Sequence, residues 1–391
     1  MDKDKLRLYV LIQNLANGLT QPFMSFLAVA SGVPNIGLGL ISSANGFFAG
    51  VTQLPLRKLS EPVKLLKVST ATLSALWLIM AFISYTNPIL YVVTYLSIAA
   101  ISGISAYAWA LLLERASRGS RGRVLAEYGF FGSIGGLLAT LTTGLVVRGN
   151  YALAKYVFLT AALLIISNFT VLMRLDNVKY DEVNSSNIKQ SVKGIERFLG
   201  ATFLFAVVWS FAWPIFPVAQ YYVFSMTTEQ VAILSIVGGA STLILQRPVG
   251  SLVDKHRRLM MFLGRFLLIT FPLMYVFSTS VYQLFVINVV SGFTNSVSNT
   301  AYMAYLFDNS RDKKSAITIY SAVYGTGTLV GSLIGSVSLT AAELVVGVKE
   351  AVKYLLLIDA AARAGAAVAY LKLPEFKPAS KGTLTVSART N

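Results

Sequence analysis

The chain has no cysteine and a single histidine, His256. Without thiols there is no disulfide, no cysteine nucleophile, no iron–sulfur cluster and no cysteine-ligated zinc. His256 sits among Asp254, Lys255, Arg257 and Arg258 with no nucleophile set around it, so it reads as a surface residue. No metal site, resident cofactor or catalytic residue is expected, and the chain is not read as an enzyme. No GxxxxGK[ST] phosphate loop is present, which argues against ATP-driven work by this chain. Charge is scarce too: 13% of residues are charged, where a soluble domain carries about 25%.

What fills the sequence is apolar. Hydrophobic residues make up 55% of it, and mean hydropathy is +0.64. Apolar runs of about 20 residues recur from end to end, each long enough to cross a hydrocarbon layer of about 30 Å. The expected fold is all-α and polytopic, with twelve membrane helices at roughly 6–31, 34–56, 67–86, 88–114, 122–147, 152–174, 197–224, 228–248, 259–279, 281–308, 314–341 and 351–371. SGVPN at 31–35, TNP at 86–88, RGN at 148–150 and TTEQ at 227–230 supply turn chemistry between them. The first segment is too long and too polar for a cleaved leader, holding Gln13, Asn14, Asn17 and Gln21.

The net charge of +16 is a question of sidedness. Of 33 Lys and Arg residues, 27 lie in the N-terminus, the even-to-odd loops and the tail. The opposite loops hold Arg148, Lys155, Lys349 and Lys353, while Arg265 and Arg363 fall inside spans. Positive charge gathers on the cytoplasmic side of membrane proteins, which places both termini in the cytoplasm of a multi-pass plasma-membrane protein. The surplus therefore marks topology and contact with anionic lipid headgroups rather than a nucleic-acid surface.

The spans repeat. QLP at 53–55 answers QRP at 246–248, and Gly46, Leu59, Glu61 and Lys64 answer Gly239, Leu252, Asp254 and Arg257, all at a shift of 193. At 195, Ala106, Tyr107, Leu111, Gly132 and Gly136 answer Ala301, Tyr302, Leu306, Gly327 and Gly331. This divides the chain into a six-helix bundle over 1–174, a cytoplasmic linker over 175–196, a second bundle over 197–371 and a cytoplasmic tail over 372–391. Parallel six-helix repeats with a site between them are a transporter architecture.

In span number, sidedness, central linker and one loop, the chain resembles the major facilitator superfamily. That family's loop signature is Gly-x-Leu-x-Asp-Arg/Lys-x-Gly-Arg-Arg/Lys. Between the eighth and ninth spans Gly250, Leu252, Asp254, Lys255 and Arg258 match it, with Arg257 in place of the second glycine. The copy between the second and third spans, RKLSEPVKLL, keeps Leu59 and an acid, Glu61. The resemblance implies alternating access. Asp254 would meet the start of the eleventh helix near Lys313–Ser315, Arg258 would pair with Asp308, and Lys64 with Glu114, together forming a cytoplasmic gate. The glycines Gly132, Gly136, Gly327, Gly331 and Gly335, at four-residue spacing, read as close helix packing. The fifth span has no Gly-Pro and the fourth no arginine, so the family's antiporter signatures are not matched.

For the substrate cavity, Gln13, Asn17 and Gln21 share one helix stripe, as do Asn288, Asn295, Asn299 and Tyr302; Trp209/Trp213 and Tyr320/Tyr324 are i, i+4 pairs, and Tyr107 and Trp109 lie in the fourth span. The family's central cavity is lined by its first, fourth, seventh and tenth helices. Amides, hydroxyls and rings without a buried carboxylate suit a neutral or amphipathic solute. Glu127 and Asp359 are the candidates for proton coupling, with Arg363 one turn beyond Asp359 to pair with it. The expected function is secondary transport of a small organic solute, foremost efflux of amphipathic compounds, by a monomer. Import of a sugar or metabolite is the alternative. From other classes stand a transport-inactive sensor and a lipid enzyme.

Overall fold

A computed structural model describes residues 3–56, 61–116, 121–175, 194–310 and 313–374. They form helical rods α1 (3–30), α2 (Asn35–Leu56), α3 (Pro62–Ile83), α4 (Pro88–Ala116), α5 (Arg121–Val147) and α6 (Tyr151–Met173), then α7 (Glu196–Val223), α8 (Thr228–Lys255), α9 (Arg257–Phe277), α10 (281–309), α11 (Lys313–Val346) and α12 (Val348–Lys372). Eight of these, α3, α4, α6, α7, α8, α9, α11 and α12, are long and apolar enough to cross a membrane. The protein is a multi-pass membrane protein.

The turns at the end away from the termini follow from local chemistry. Gly32 (φ 76°), Gly149 (φ 90°) and Gly347 (φ 78°) take left-handed backbone that a side chain disfavours. The Asn87 side chain accepts the Ile89 and Leu90 amides at 3.1 Å, capping α4. Thr227 and Gln230 form a reciprocal capping box on α8.

Several boundaries differ from the sequence reading. The α8 helix runs to Lys255 instead of stopping at 248, carrying Pro248 inside it. The 249–258 connection thereby shrinks to one non-helical residue, His256 (φ −135°). Pro62 opens α3 five residues early, since proline fits a first turn whose amide is unpaired anyway. Gly347 alone joins α11 to α12, so both run past their expected ends.

The six helices of each half pack among themselves, and the halves meet unequally at the two ends. At the far end one apolar core is shared, holding Phe26, Ala28 and Val33 from the first half with Ala212, Ile215, Val218 and Val231 from the second. At the end bearing the termini the cores are separate, one around Leu6, Val63 and Leu112, the other around Phe198, Val253 and Leu306.

Candidate functional site

A cavity of about 570 Å³ lies on the terminal side of the shared core. Its wall is built by α1, α2 and α4, and from Tyr9 to Gln21 it follows α1 for roughly 18 Å at 1.5 Å per residue. The size suits a small organic molecule, since such pockets span about 300–1,000 Å³. Gln13, Asn17 and Gln21 all line it, joined by Asn14, Asn45, Ser102 and Ser105, with Trp109 at its terminal side.

At the deep end sits a polar triad. Asn45 donates to Gln21 Oε1 at 2.7 Å and to the Tyr95 hydroxyl at 3.1 Å, and Tyr95 donates to the same Gln21 oxygen at 2.8 Å. One carbonyl oxygen thus takes two donors, which fixes the Gln21 amide and leaves its NH₂ group as a donor. Higher up, Asn168 of α6 reaches Gln13 Oε1 at 3.4 Å and the Tyr9 carbonyl at 3.2 Å. Trp109 packs on Tyr9, ring centroids 5.2 Å apart, and edge-on to Tyr128 at 5.9 Å. Tyr107 is half-buried in α4. Sequence reasoning missed Asn45 and Tyr95, whose signal was a polar group inside each of two apolar spans.

In the second half the aromatic residues converge on a cation. Trp209 meets Trp213 at 4.9 Å and Tyr324 at 6.2 Å, and Tyr320 stacks on Tyr324 and on Phe198. The Arg265 guanidinium of α9 lies 4.1 Å from the Tyr302 ring centre, 4.6 Å from Phe205, 5.7 Å from Tyr370 and 5.9 Å from Trp209. Each such contact is worth about 0.5–2 kcal/mol. Arg265 was counted in the sequence merely as a charge inside a span.

Tyr302 does not face the space between the halves. It is buried, and its hydroxyl donates to the Met261 carbonyl at 2.8 Å. Gly264 lets α10 approach α9 here, since a Cβ on it would strike Val297 at 2.5 Å. Asn295 and Asn299, on the same stripe, stay exposed, and Asn295 donates to Thr242 at 3.3 Å. Asn288 is drawn to the Leu234 carbonyl of α8 at 2.6 Å.

Compared with known proteins, the Major Facilitator Superfamily model matches residues 198–387. The fold is similar over nearly its whole length to solved structures of transporters. The nucleoside transporter NupG gives a TM-score of 0.75 at 13% identity, covering 96% of this chain and 100% of that one. A structure described under substrate recognition in proton dependent oligopeptide transporters gives 0.73 at 11%, covering 95% and 98%. The D-xylose-proton symporter gives 0.70 at 14%, covering 94% and 97%. No curated protein matches the sequence. The chain thus shares the fold of these transporters throughout, and its second half matches the Major Facilitator Superfamily model.

The loop between α8 and α9 is a helical corner. Gly250 lies within α8 with open space where a Cβ would go. Asp254 and Lys255 are exposed at the last turn of α8, and Asp254 makes no ion pair among the described residues. The arginine found on Asp308 is Arg257, not the expected Arg258. Because α9 starts at Arg257 directly after His256, its first side chain is the one turned to α10. In the first half Lys64 pairs with Glu61 one turn away, at 3.5 Å. The side chains of Glu114, Glu127 and Lys313 lie outside the described residues, as do the loop residues 57–60.

The glycines of the two bundles sit at crossings. A side chain on Gly132 would strike Asn14 of α1, and one on Gly18 would strike the Gly136 backbone. In the second half Gly327, Gly331 and Gly335 of α11 abut the carbonyls of Phe203, Val207 and Phe211 on α7. Asp359 and Arg363 form a fully buried pair at 2.7 Å within α12. Arg363 also donates to the carbonyls of Leu268 on α9 and Trp209 on α7, at 2.8 and 3.0 Å.

Proposed function

We propose that this protein carries a small organic solute across the membrane by alternating access, with the bundles of 1–174 and 197–371 rocking against each other and the cavity of α1, α2 and α4 taking the solute. The observation that carries this is the contrast between the two ends: one shared apolar core at the far end, separate cores and a polar cavity at the other. With the termini cytoplasmic by their charge, the described state is closed outward and faces inward.

Hydrogen bonds reinforce the closed end. Asn35 donates to Glu343 at 2.8 Å and Thr340 at 3.2 Å, Ser332 donates to the Gly39 carbonyl at 2.8 Å, and Arg148 pairs with Glu229 at 2.9 Å. An exposed pair of that last kind contributes about 0–1 kcal/mol, so apolar burial dominates the closure. The core residues would be wetted on outward opening, at about 25 cal/mol per Å². Terminal-side charges, Asp254, Arg257 and Asp308 with Glu61 and Lys64, would close the opposite end in the alternate state.

The solute is one with hydrogen-bonding groups and an apolar body, met by the amide triad on one side and by rings on the other; efflux of such amphipathic compounds is the direction we favour. The test is flux by the purified chain in liposomes. Solute uptake against protein-free vesicles supports the proposal, and Gln21→Ala should weaken apparent affinity about 3–10-fold, the worth of one neutral hydrogen bond. Lipid turnover without flux would point to an enzyme instead.

A further inference from the structure

Three charged side chains are buried among the described residues: Arg265, Asp359 and Arg363. Two of them neutralise each other, and Arg363 passes its remaining donors to two backbone carbonyls. Arg265 is treated differently. It is 3% exposed, makes no ion pair among the described residues, and its Nε has no acceptor. Its surroundings are rings: Phe205 and Trp209 from α7, Tyr302 from α10, Tyr370 from the end of α12. Tyr320 and Tyr324 of α11 stand near enough to add to its electrostatic surroundings. Among the described residues the buried interior of the second half therefore holds one positive charge more than it neutralises.

A charge at membrane depth without a partner marks a site, since helix packing alone gives no reason to keep it. The box is also open on one side. Phe205, Tyr302 and Tyr370 are buried, whereas Trp209, Tyr320 and Tyr324 are partly exposed. That side lies toward the α2–α11 seam: Gly325, next to Tyr324, abuts the backbone of Gly46, whose neighbour Asn45 lines the cavity from the other side of the seam.

We propose that Arg265 is the binding point for the anionic group of the transported solute, a carboxylate on an aromatic or otherwise apolar body. The guanidinium offers paired donors that match a carboxylate's two oxygens. Trp209, Trp213 and Tyr324 supply the faces against which the body lies, and the first-half amides take its remaining polar groups. This rests on the transport reading above and narrows its solute from neutral or amphipathic to singly anionic.

The test uses two carboxylate–amide pairs, phenylacetate with phenylacetamide and benzoate with benzamide, titrated against the full chain in zwitterionic nanodiscs. Tryptophan fluorescence reports binding, with Trp209 and Trp213 beside the box. Each carboxylate is expected to bind at least about tenfold more tightly than its amide, the worth of one charge-assisted contact. In Arg265→Gln that difference should vanish. Arg265→Lys, which keeps the charge and loses the fork, should retain part of it, and it carries the test should Arg265→Gln fail to fold. The proposal is overturned by carboxylate and amide behaving alike in the unsubstituted chain, neither binding included. It is equally overturned by a preference that Arg265→Gln, or Arg265→Lys in its place, leaves undiminished. Nanodiscs containing phosphatidylglycerol form the second arm: if the lipid alone displaces the carboxylate, the box holds a headgroup and the solute assignment falls. Liposome flux of neutral solutes with no carboxylate preference would leave the transport reading standing and remove this one. Absence of all flux would remove the transport reading by itself.

Discussion

Asp359 shows how one residue type can carry two opposed meanings. A carboxyl inside a span is a candidate proton carrier, yet here it lies 2.7 Å from Arg363 with both side chains sealed from solvent. Breaking a buried pair by removing one partner costs about 3–5 kcal/mol, because the other charge is stranded. Asp359→Asn should therefore lower the thermal unfolding temperature sharply in detergent, and Asp359→Leu with Arg363→Met should recover much of the loss. If Asp359→Asn instead folds normally and loses only a pH-gradient dependence of flux, the residue is a proton carrier and the structural account fails. The stripe Gln13, Asn17 and Gln21 was legible because helical periodicity puts residues four apart on one face. Asn45, Tyr95 and Arg265 were not, since what gives them meaning is a partner on another helix.

Glycines in different helices of this chain do different work. Gly250 belongs to the loop signature but stands in a helix with nothing near its missing Cβ. Gly250→Ala should leave the unfolding temperature unchanged or raise it, alanine being favoured over glycine in a helix by up to about 1 kcal/mol. Gly331 faces the Val207 carbonyl of α7 so closely that any Cβ displaces the helix. Gly331→Ala should destabilise the second bundle markedly in the same melting assay, and comparable behaviour of the two variants would refute the distinction. The corner at His256 teaches a similar lesson about proline. Pro248 looked like a helix end, but α8 continues through it for seven residues. Proline's missing donor is tolerated inside membrane helices because neighbouring groups re-satisfy the backbone.

For the whole molecule, the missing cysteines become an instrument, because introduced thiols meet no native ones. Asn35→Cys with Thr340→Cys places thiols across the closed end, where Asn35 and Thr340 now stand in hydrogen-bond contact at 3.2 Å. A short thiol-reactive cross-linker should join them readily in the resting protein and arrest flux, and reductive release should restore it. Flux that persists through the cross-link would show that the ends do not open in turn. Cooperative closure at one end is expected because the shared core presents a continuous apolar surface to water once parted.

By itself the sequence determined that this protein lives in a membrane, how its helices are spaced, and which end carries the positive charge. Those properties are local or additive: hydropathy over twenty residues, turn chemistry over four, charge summed by loop. It also held the six-plus-six repeat, as paired residues at a near-constant shift. The tertiary structure decided which polar groups share a cavity, that Arg257 takes Asp308, and that Tyr302 turns to α9. It also left Arg265, alone of the three buried charges, without a counter-charge among the described residues. Such outcomes depend on distances between helices far apart along the chain, and helical periodicity carries no record of those distances.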